Sequence, residues 1–415
     1  MRILVMTDSP FVPSGLGKVG KNIALGLKRH NHDVAYLAWF HHPDIPQERL
    51  DGIQVWFTND SLYGAEILDR IVNRFQPDVL LTVGDLWNLS YIYNGEACKT
   101  RRWFQWCSYI AVDGEPLNGG LPPGLVPIVN DIDIPVAYTN YAKKSISKSS
   151  NDDETRSRLD VIYHGVDTNL FKPTSHERRM SIRRSYGIRD DQFVFLTVSR
   201  NQSRKNIPEL FRAWKIFADR PQNKNRAMFW PHMTFTDTAG WNIDHLFDVI
   251  GLKQSEEIMF YQSIAKSPHA MLLMPEEELA TLYQIADCFI LISGEGFGLP
   301  TFEAMATGLP CILLDYAASS ELGADGRAEL VPCPVESTAT WTGMYLTQRP
   351  TPNPELIADA MQKIIDNRDY RERMAKKGFE FARSFPWQKI QDQWAHKMLK
   401  IEVPFAAPMQ LQEIS

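Results

Sequence analysis

Short apolar runs alternate with longer segments of mixed polar and apolar residues along the chain. The first part contains the runs "RILVM", "DVAYLA", "DVLLTVG", "PVAYT" and "DVIYH". Their length and their content of valine, isoleucine and tyrosine are typical of buried strands. Amphipathic stretches such as 16–29 and 65–75 lie between them and predict helices. This alternation predicts a parallel sheet that is covered by helices on both faces.

The same alternation starts again with "FVFLTVS" (193–199) and continues through "RAMFWPHM", "EIMFYQ", "DCFILI", "PCILL" and "AELVP". A polar, charged segment at 171–187 separates the two series. We therefore predict an α/β protein of two doubly wound, Rossmann-like domains that face each other across a cleft. The predicted domains span 1–172 and 173–386. A helix over 387–400 is expected to cross back to the first domain, and 401–415 to form a tail.

Composition narrows the class of protein. The chain has 415 residues, 44% hydrophobic and 23% charged, as in an ordinary globular protein. A net charge of -6 gives no global attraction to nucleic acid or anionic membranes. The five cysteines lack metal-binding spacing and predict buried thiols in a reducing compartment. No apolar run approaches the roughly 18 residues of a membrane span, and "MRILVMTDSP" predicts a first strand, so we expect a cytoplasmic protein.

The segment "SGEGFGLPTFEAMATGLP" (293–310) has the pattern of a strand, a glycine turn and a helix. Pro300 suits a first helical position, and Gly308 marks the end of the helix. The amino end of such a helix presents unpaired backbone N–H groups that favour an anion. Glu295 in the turn and Glu303 in the helix are both expected to face the cleft.

Two further segments are expected to contribute to an anion site. Gly15 and Gly17, in "SGLG" after the first strand, allow a ligand to approach the backbone closely. A tight turn with nothing bound is the equal alternative. Arg200 and Lys205 follow the strand at 193–198, at the carboxyl end where ligands bind in doubly wound folds. Two cations there suit a diphosphate, and a solvated basic loop is the alternative.

The glutamate segment resembles the E-x7-E signature of the family-4 retaining glycosyltransferases, which have the GT-B fold. "VSRNQSRKN", "IYHGVDTNLFKP", "EEELATLYQIADCFI" and the opening glycine turn are similar to further motifs of that family, in the same order. The resemblance extends from residue 1 to about residue 394. It implies a hexosyltransferase that moves a sugar from a nucleoside-diphosphate-sugar donor to an acceptor hydroxyl with retention of configuration. It also implies that neither a metal ion nor a cofactor is needed.

The resemblance implies a role for each matching residue. Glu303 would bind the ribose hydroxyls of the donor, and Glu295 the hydroxyls of its sugar. Arg200 and Lys205 would bind the diphosphate. The residues whose backbone would lie beside the donor are Gly15, Gly17, Gly296, Phe297, Gly298 and Leu299.

One segment departs from the family pattern. Many members have a histidine after a middle strand of the first domain, whereas "CSYIAVDGEPLNGG" offers Asp113 and Glu115. Asp113 is a candidate to orient or deprotonate the acceptor hydroxyl, and a turn residue is the alternative. A base acting from the opposite face would invert the configuration. His164 and His232 are weaker candidates for donor contact, with packing as the alternative.

Other functions stay open from the sequence. A sugar-nucleotide epimerase of the same fold would need no acceptor, and a non-catalytic protein would bind the nucleotide sugar without turnover. The acceptor classes are a saccharide, a lipid-linked molecule, a protein or a hydroxylated DNA base. The basic residues Lys18, Lys21, Lys28 and Arg29 would permit peripheral membrane contact, and a solvated helix face is the alternative.

Overall fold

The chain forms two sheets of mainly parallel strands, and helices cover the faces of both sheets. The computed structural model describes residues 1–39, 48–58, 63–93, 98–150, 152–252, 258–259, 274–333, 339–342 and 347–401. The tail predicted at 401–415 therefore lies outside the described residues except for Ile401.

The first sheet has the strand order β3-β4-β2-β1-β5-β6-β7-β8. Neighbouring strands are parallel except for β3 and β4, which are antiparallel. The strands are β1 (Arg2–Asp8), β2 (Asp33–Trp39), β3 (Arg49–Leu50), β4 (Ile53–Phe57), β5 (Val79–Gly84), β6 (Gln105–Ile110), β7 (Ile134–Ala137) and β8 (Asp160–Val161). The helices of this part are α1 (Gly15–Arg29), α2 (Leu68–Phe75), α3 (Ser90–Tyr93), α4 (Val126–Asp131), α5 (Asn140–Ser149) and α6 (Asp153–Arg158).

The near-continuous apolar character of β1 follows from burial on both faces of the sheet. Ile3 and Val5 belong to one hydrophobic core, and Leu4 and Met6 belong to the core on the other face. A strand alternates its side chains between faces, so a strand covered on both sides needs apolar residues at every position. The structure thus agrees with the strand pattern that the sequence predicts.

The second sheet has the order β10-β9-β11-β12-β13, with all neighbours parallel. Its strands are β9 (Phe193–Val198), β10 (Ala227–His232), β11 (Cys288–Leu291), β12 (Cys311–Leu314) and β13 (Glu329–Val331); β14 (Ala339–Thr342) and β15 (Thr347–Pro350) form an antiparallel hairpin. The helices are α7 (His176–Ser185), α8 (Ile207–Ala218), α9 (Ile243–Ile250), α10 (Glu276–Ile285), α11 (Leu299–Ala306), α12 (Ala317–Gly323), α13 (Pro354–Asp366), α14 (Arg368–Arg383) and α15 (Trp387–Leu399).

The last helix, α15, packs against α1 of the first part. A Cβ added to Gly26 of α1 would lie 2.5 Å from Cβ of Gln391, so only a glycine permits this close approach of the two helices. Trp387 packs in the same way over Gly165. The chain therefore returns to the first sheet after it has built the second.

Candidate active site

The carboxyl ends of the two sheets face each other, and the two glycine turns meet between them. An ideal Cβ on Gly15, at the start of α1, would lie 3.7 Å from Cδ1 of Leu299, at the start of α11. An ideal Cβ on Gly296 would lie 2.9 Å from Cβ of Ala111. Ligands bind at the carboxyl ends of strands in this class of fold, so the candidate site is this cleft.

The glycines of the second turn allow the two halves to touch each other. A Cβ on Gly294 would come within 2.9 Å of the carbonyl oxygen of Asp113, closer than Cβ atoms normally approach. Gly298 has a φ of 100°, which favours glycine. Gly17 is also constrained by the chain itself, because its Cβ would meet the Ser9 carbonyl oxygen at 2.4 Å. Contact within the protein thus explains Gly17, Gly294 and Gly296 without a ligand.

Glu303 is 5% exposed and is held by residues from both halves. Lys18 of α1 donates to its Oε1 at 2.7 Å, and Tyr283 of α10 donates to its Oε2 at 3.0 Å. Lys18 also lies 2.9 Å from Oε1 of Glu276. Burial lowers the pKa of Lys18, but the charges of Glu303 and Glu276 more than offset this effect and raise it overall. The ammonium is therefore charged and bridges the cleft.

Glu295 is 8% exposed and forms a second buried ion pair. Lys205 Nζ donates to Oε1 of Glu295 at 2.5 Å, and Ser293 Oγ donates to the same atom at 2.5 Å. Burial raises the pKa of Glu295, but the charges of Lys205 and Arg204 outweigh it, so the pKa lies below its usual value. Burial and the neighbouring Arg204 lower the pKa of Lys205 to about 8, against the opposing effect of Glu295.

The two cations predicted for the diphosphate lie in different surroundings. Lys205 is in the buried cluster, whereas the side chain of Arg200 is 61% exposed and pairs with Asp237 at 2.7 Å. Arg204 lies nearer the cleft, 3.6 Å from a carboxylate oxygen of Asp113. Arg204 is not among the residues predicted from the sequence, although it directly precedes Lys205 in the same loop.

Asp113 is held by the second half of the chain. Nη2 of Arg349, on β15, lies 2.7 Å from each carboxylate oxygen of Asp113. The hairpin that presents Arg349 docks on the first half, because Gln348 donates its N–H to the carbonyl oxygen of Glu115 at 2.8 Å. The side chain of Glu115 accepts a hydrogen bond from Ser145. The predicted acidic segment thus forms part of the contact between the halves.

Two more carboxylates lie at the carboxyl ends of strands in the first sheet. Asp8 ends β1, and Asp85 directly follows the neighbouring strand β5. Burial, followed by the charge of Asp113, raises the pKa of Asp85 to about 7, against the opposing charges of Arg204 and Arg349. Burial also raises the pKa of Asp8. Their positions after apolar strands are the available sequence signal, but neither is among the site residues predicted from the sequence.

The two candidate histidines are buried at the edges of the sheets. His164 is 3% exposed, its Nδ1 lies 2.8 Å from Oη of Tyr109, and its ring centroid lies 4.3 Å from that of Phe297. Burial lowers the pKa of His164 to about 3 and that of His232 to about 4. Both imidazoles are therefore neutral near pH 7. Phe297 likewise fills the contact between the halves with its side chain.

The basic residues of α1 are largely engaged within the chain. Lys18 binds Glu303, Lys28 donates to the carbonyl oxygen of Asp51, and Arg29 donates to Gln391 at 2.7 Å. Across the described ranges, no helix is long and apolar enough to cross a membrane. In the same parts of the chain, no three His, Cys, Asp or Glu side chains are grouped so as to hold a metal ion.

Residues 248–381 match the family model of the glycosyl transferases group 1. A D-inositol 3-phosphate glycosyltransferase of Nocardioides sp. (strain ATCC BAA-499 / JS614) is 26% identical over 265 residues, which are 63% of this chain and 52% of that protein. The mannosylfructose-phosphate synthase of Agrobacterium fabrum is 25% identical over 240 residues, 57% of this chain and 47% of that protein. The chain thus spans about half the length of these curated relatives.

Solved glycosyltransferase structures share the whole architecture. Anabaena Alr3699/HepE, in complex with UDP and glucose, superposes with a TM-score of 0.71 at 16% identity and covers 97% of this chain and 100% of its own. A glycosyltransferase from Rickettsia africae ESF-5 gives a TM-score of 0.68 at 17% identity, with 97% of this chain and 99% of its own covered. The predicted GT-B arrangement of two Rossmann-like units is confirmed.

Proposed function

We propose that this chain is a glycosyltransferase of family 4 within group 1 and transfers a hexose from a nucleoside diphosphate to an acceptor hydroxyl. The observation that best supports this proposal is the pair of buried glutamates, Glu295 and Glu303, each of which is paired with a lysine at the cleft. The matching family segment includes both glutamates. We place the acceptor on the side of 1–172 and the donor on the side of 173–386.

The geometry suits a nucleotide sugar, because such a ligand carries hydroxyl groups at both ends and a diphosphate between them. Carboxylates accept hydrogen bonds from vicinal hydroxyls, so Glu303 would bind the ribose and Glu295 the transferred sugar. The diphosphate between them would meet Lys205, Arg204 and the amino end of α11, all of which favour an anion. HepE, which has the same fold, is described in complex with UDP-glucose, and this supports the donor class.

The reaction breaks the bond between the anomeric carbon and the diphosphate, and negative charge grows on the leaving phosphate. Fixed cations and backbone N–H groups aimed at that charge stabilise the transition state by several kcal/mol. Asp113 is already paired with Arg349 and Arg204, so it is poorly placed to act as a free base. This pairing supports the retaining course, in which a phosphate oxygen of the leaving group takes the proton of the acceptor. That course uses neither a protein nucleophile nor a metal ion.

The test is consumption of a panel of nucleotide sugars, with UDP-glucose first, followed by identification of the products. We expect slow donor hydrolysis without acceptor, and its loss in Glu295→Gln and Lys205→Met while both variants stay folded. Arg212→Met, which changes an exposed cation on the helix after the same loop, is the matched control. Binding without any turnover would identify a non-catalytic binding protein, and conversion of the sugar without release of the diphosphate would identify an epimerase. Full activity in both buried-site variants would refute the site.

A reducing, cytoplasmic location belongs to the same proposal. All five cysteines, Cys98, Cys107, Cys288, Cys311 and Cys333, are buried free thiols. Burial raises the pKa of Cys98 to about 11, so this thiol stays protonated and unreactive near pH 7.

A further inference from the structure

The loop between β9 and α8 carries a cation, Arg204, that is held only loosely within the described parts of the chain. Its side chain is 33% exposed and lies 3.6 Å from a carboxylate oxygen of Asp113, and it forms no hydrogen bond to any described residue. Burial lowers the pKa of Arg204, but the charges of Glu295, Asp113 and Asp85 outweigh it and raise the pKa overall. Asp85, whose pKa burial raises to about 7, carries only part of its charge near pH 7. Arg204 is thus charged, and its five N–H donors are available to a ligand.

The other two carboxylates near Arg204 each pair more closely with a different cation. Lys205 Nζ lies 2.5 Å from Oε1 of Glu295. Nη2 of Arg349 lies 2.7 Å from each carboxylate oxygen of Asp113. The side chains of Arg349 and Asp113 are only 13% and 14% exposed, so solvent screens their attraction weakly. Arg349 therefore takes up the negative charge that would otherwise hold Arg204.

The backbone on both sides of Arg349 is fixed by hydrogen bonds. Gln348 donates its N–H to the carbonyl oxygen of Glu115, in the first half, at 2.8 Å. The side chain of Asn206, at the end of the loop that carries Arg204, donates to the carbonyl oxygen of Pro350 at 3.3 Å. The strand that presents Arg349 is thus bonded both to the acidic segment and to the loop of the two cations. This arrangement holds the guanidinium of Arg349 against the carboxylate without using the ligand.

We propose that Arg349 is a positioning residue that neutralises Asp113 and thereby leaves Arg204 to bind the diphosphate of the donor. This inference rests on the proposed transferase function. Without Arg349, Asp113 would be a largely buried carboxylate with Arg204 as its nearest cation, and such a charge strongly favours a partner. It would draw Arg204 away from the diphosphate and would also repel the diphosphate directly. Arg349 acts on the ligand through Asp113 and needs no contact with it.

The experiment compares two ligands that differ in the diphosphate. Wild-type protein and Arg349→Met are titrated with UDP, and the affinity for uridine is measured by its displacement of UDP. If the wild type binds another nucleoside diphosphate more tightly, that compound and its nucleoside are used instead. We expect Arg349→Met to lose about ten-fold in affinity for UDP, because an uncompensated negative charge then lies beside the diphosphate. The affinity for uridine, which carries no charge, should stay unchanged.

Further variants assign the loss to the charge of Asp113. Arg349→Met combined with Asp113→Asn has the net charge of the wild type and should recover its affinity for UDP. Asp113→Asn alone removes a negative charge, so it should bind UDP at least as tightly as the wild type, and it tests the inference even if Arg349→Met does not fold.

Arg220→Met is the matched control. Arg220 also pairs with an aspartate, Asp359, at 2.6 Å, but it follows α8, whereas Arg204 precedes that helix. This variant should bind UDP as the wild type does.

Four results would overturn the inference while the wild type binds UDP: full affinity in Arg349→Met, equal losses for UDP and uridine, a double variant as weak as Arg349→Met, or weaker binding by Asp113→Asn. Equal losses for the two ligands would show that Arg349 only supports the fold. A folded wild-type protein that binds no nucleoside diphosphate would instead refute the transferase function. The titration of the wild type therefore distinguishes the two failures.

Discussion

The ammonium group of Lys18 lies 2.7 Å from the carboxylate of Glu303, across the cleft between the two sheets. Lys18 belongs to the first helix and Glu303 to a helix of the second half. The carboxylate that we assign to the donor ribose therefore also joins the halves. A nucleotide bound through Glu303 would therefore be coupled to the fit between the halves.

Loss of Lys18 should destabilise the protein, because Glu303 would keep a buried charge with only Tyr283 as a partner. Lys18→Met should lower the free energy of unfolding by about 3 kcal/mol, the cost of breaking a buried ion pair. Lys18→Met combined with Glu303→Gln should cost clearly less than the sum of the single changes. Urea unfolding of the four proteins measures this coupling. Strictly additive losses would mean that the two groups do not interact in solution.

The activity of the proposed transferase should fall as the pH rises through the pKa of Lys205. This pKa is lowered to about 8, so the charge that faces the diphosphate is lost above about pH 8. A plot of kcat/KM for the donor against pH reports on the free enzyme and should show this fall. In Lys205→Arg the fall should disappear, because arginine stays protonated. The same alkaline limb in both proteins would exclude Lys205 as its source.

Asp85 should make the stability of the protein depend on pH. Its pKa in the folded protein, about 7, lies above the usual value of 3.8, so the folded state holds this proton more tightly. The resulting stabilisation is present below about pH 4 and is lost as the pH rises through about 7. Burial is the largest cause of this raised pKa; the charges of Asp113 and Asp8 add to it, and those of Arg204 and Arg349 oppose it.

The check is the difference in unfolding free energy between Asp85→Asn and wild type, measured at several pH values. The difference should move in favour of the variant between about pH 4 and pH 8, since asparagine carries no charge to bury. A carboxylate that destabilises the folded protein near neutral pH fits a residue kept for function. A difference that is independent of pH would show that Asp85 titrates normally.

The close contact between Gly296 and Ala111 predicts how substitutions at these two positions change the stability of the protein. A Cβ at Gly296 would lie 2.9 Å from Cβ of Ala111, so Gly296→Ala should cost about 1–3 kcal/mol of stability. Ala111→Gly in the same protein should recover most of this loss. Gly124→Ala is the control, because nothing lies within 4 Å of its ideal Cβ. Equal effects at Gly124 and Gly296 would show that the contact between the halves is absent in solution.

Much of the fold could be predicted because its signal is local. Strands such as β1 and β5 are buried on both faces, so each appears as a short apolar run, and the glycine turns mark where helices follow. The same local reasoning located Glu295, Glu303 and Lys205. Each stands at the carboxyl end of a strand, or in the helix that follows, and these positions are read from neighbouring residues alone.

The partners of these residues could not be predicted, because they lie far away along the chain. Lys18 and Glu303 are 285 residues apart, and Arg349 and Asp113 are 236 apart. Which cation meets which carboxylate depends on how the halves fit together, and no local pattern encodes that fit. Arg200 illustrates the same point, since it follows the expected strand but its guanidinium pairs with Asp237.

The central claim is that the cleft binds a nucleoside diphosphate through Glu303, and a calorimetric titration tests it most directly. Wild-type protein and Glu303→Ala are titrated with UDP first and then with the other nucleoside diphosphates, with Arg212→Met as the folded control. We expect at least one nucleotide to bind the wild type and the control alike, and Glu303→Ala to lose about ten-fold or more in affinity, as removal of a charged hydrogen-bond partner predicts. Equal affinity in Glu303→Ala, or no binding of any nucleotide by the folded wild type, would contradict the account.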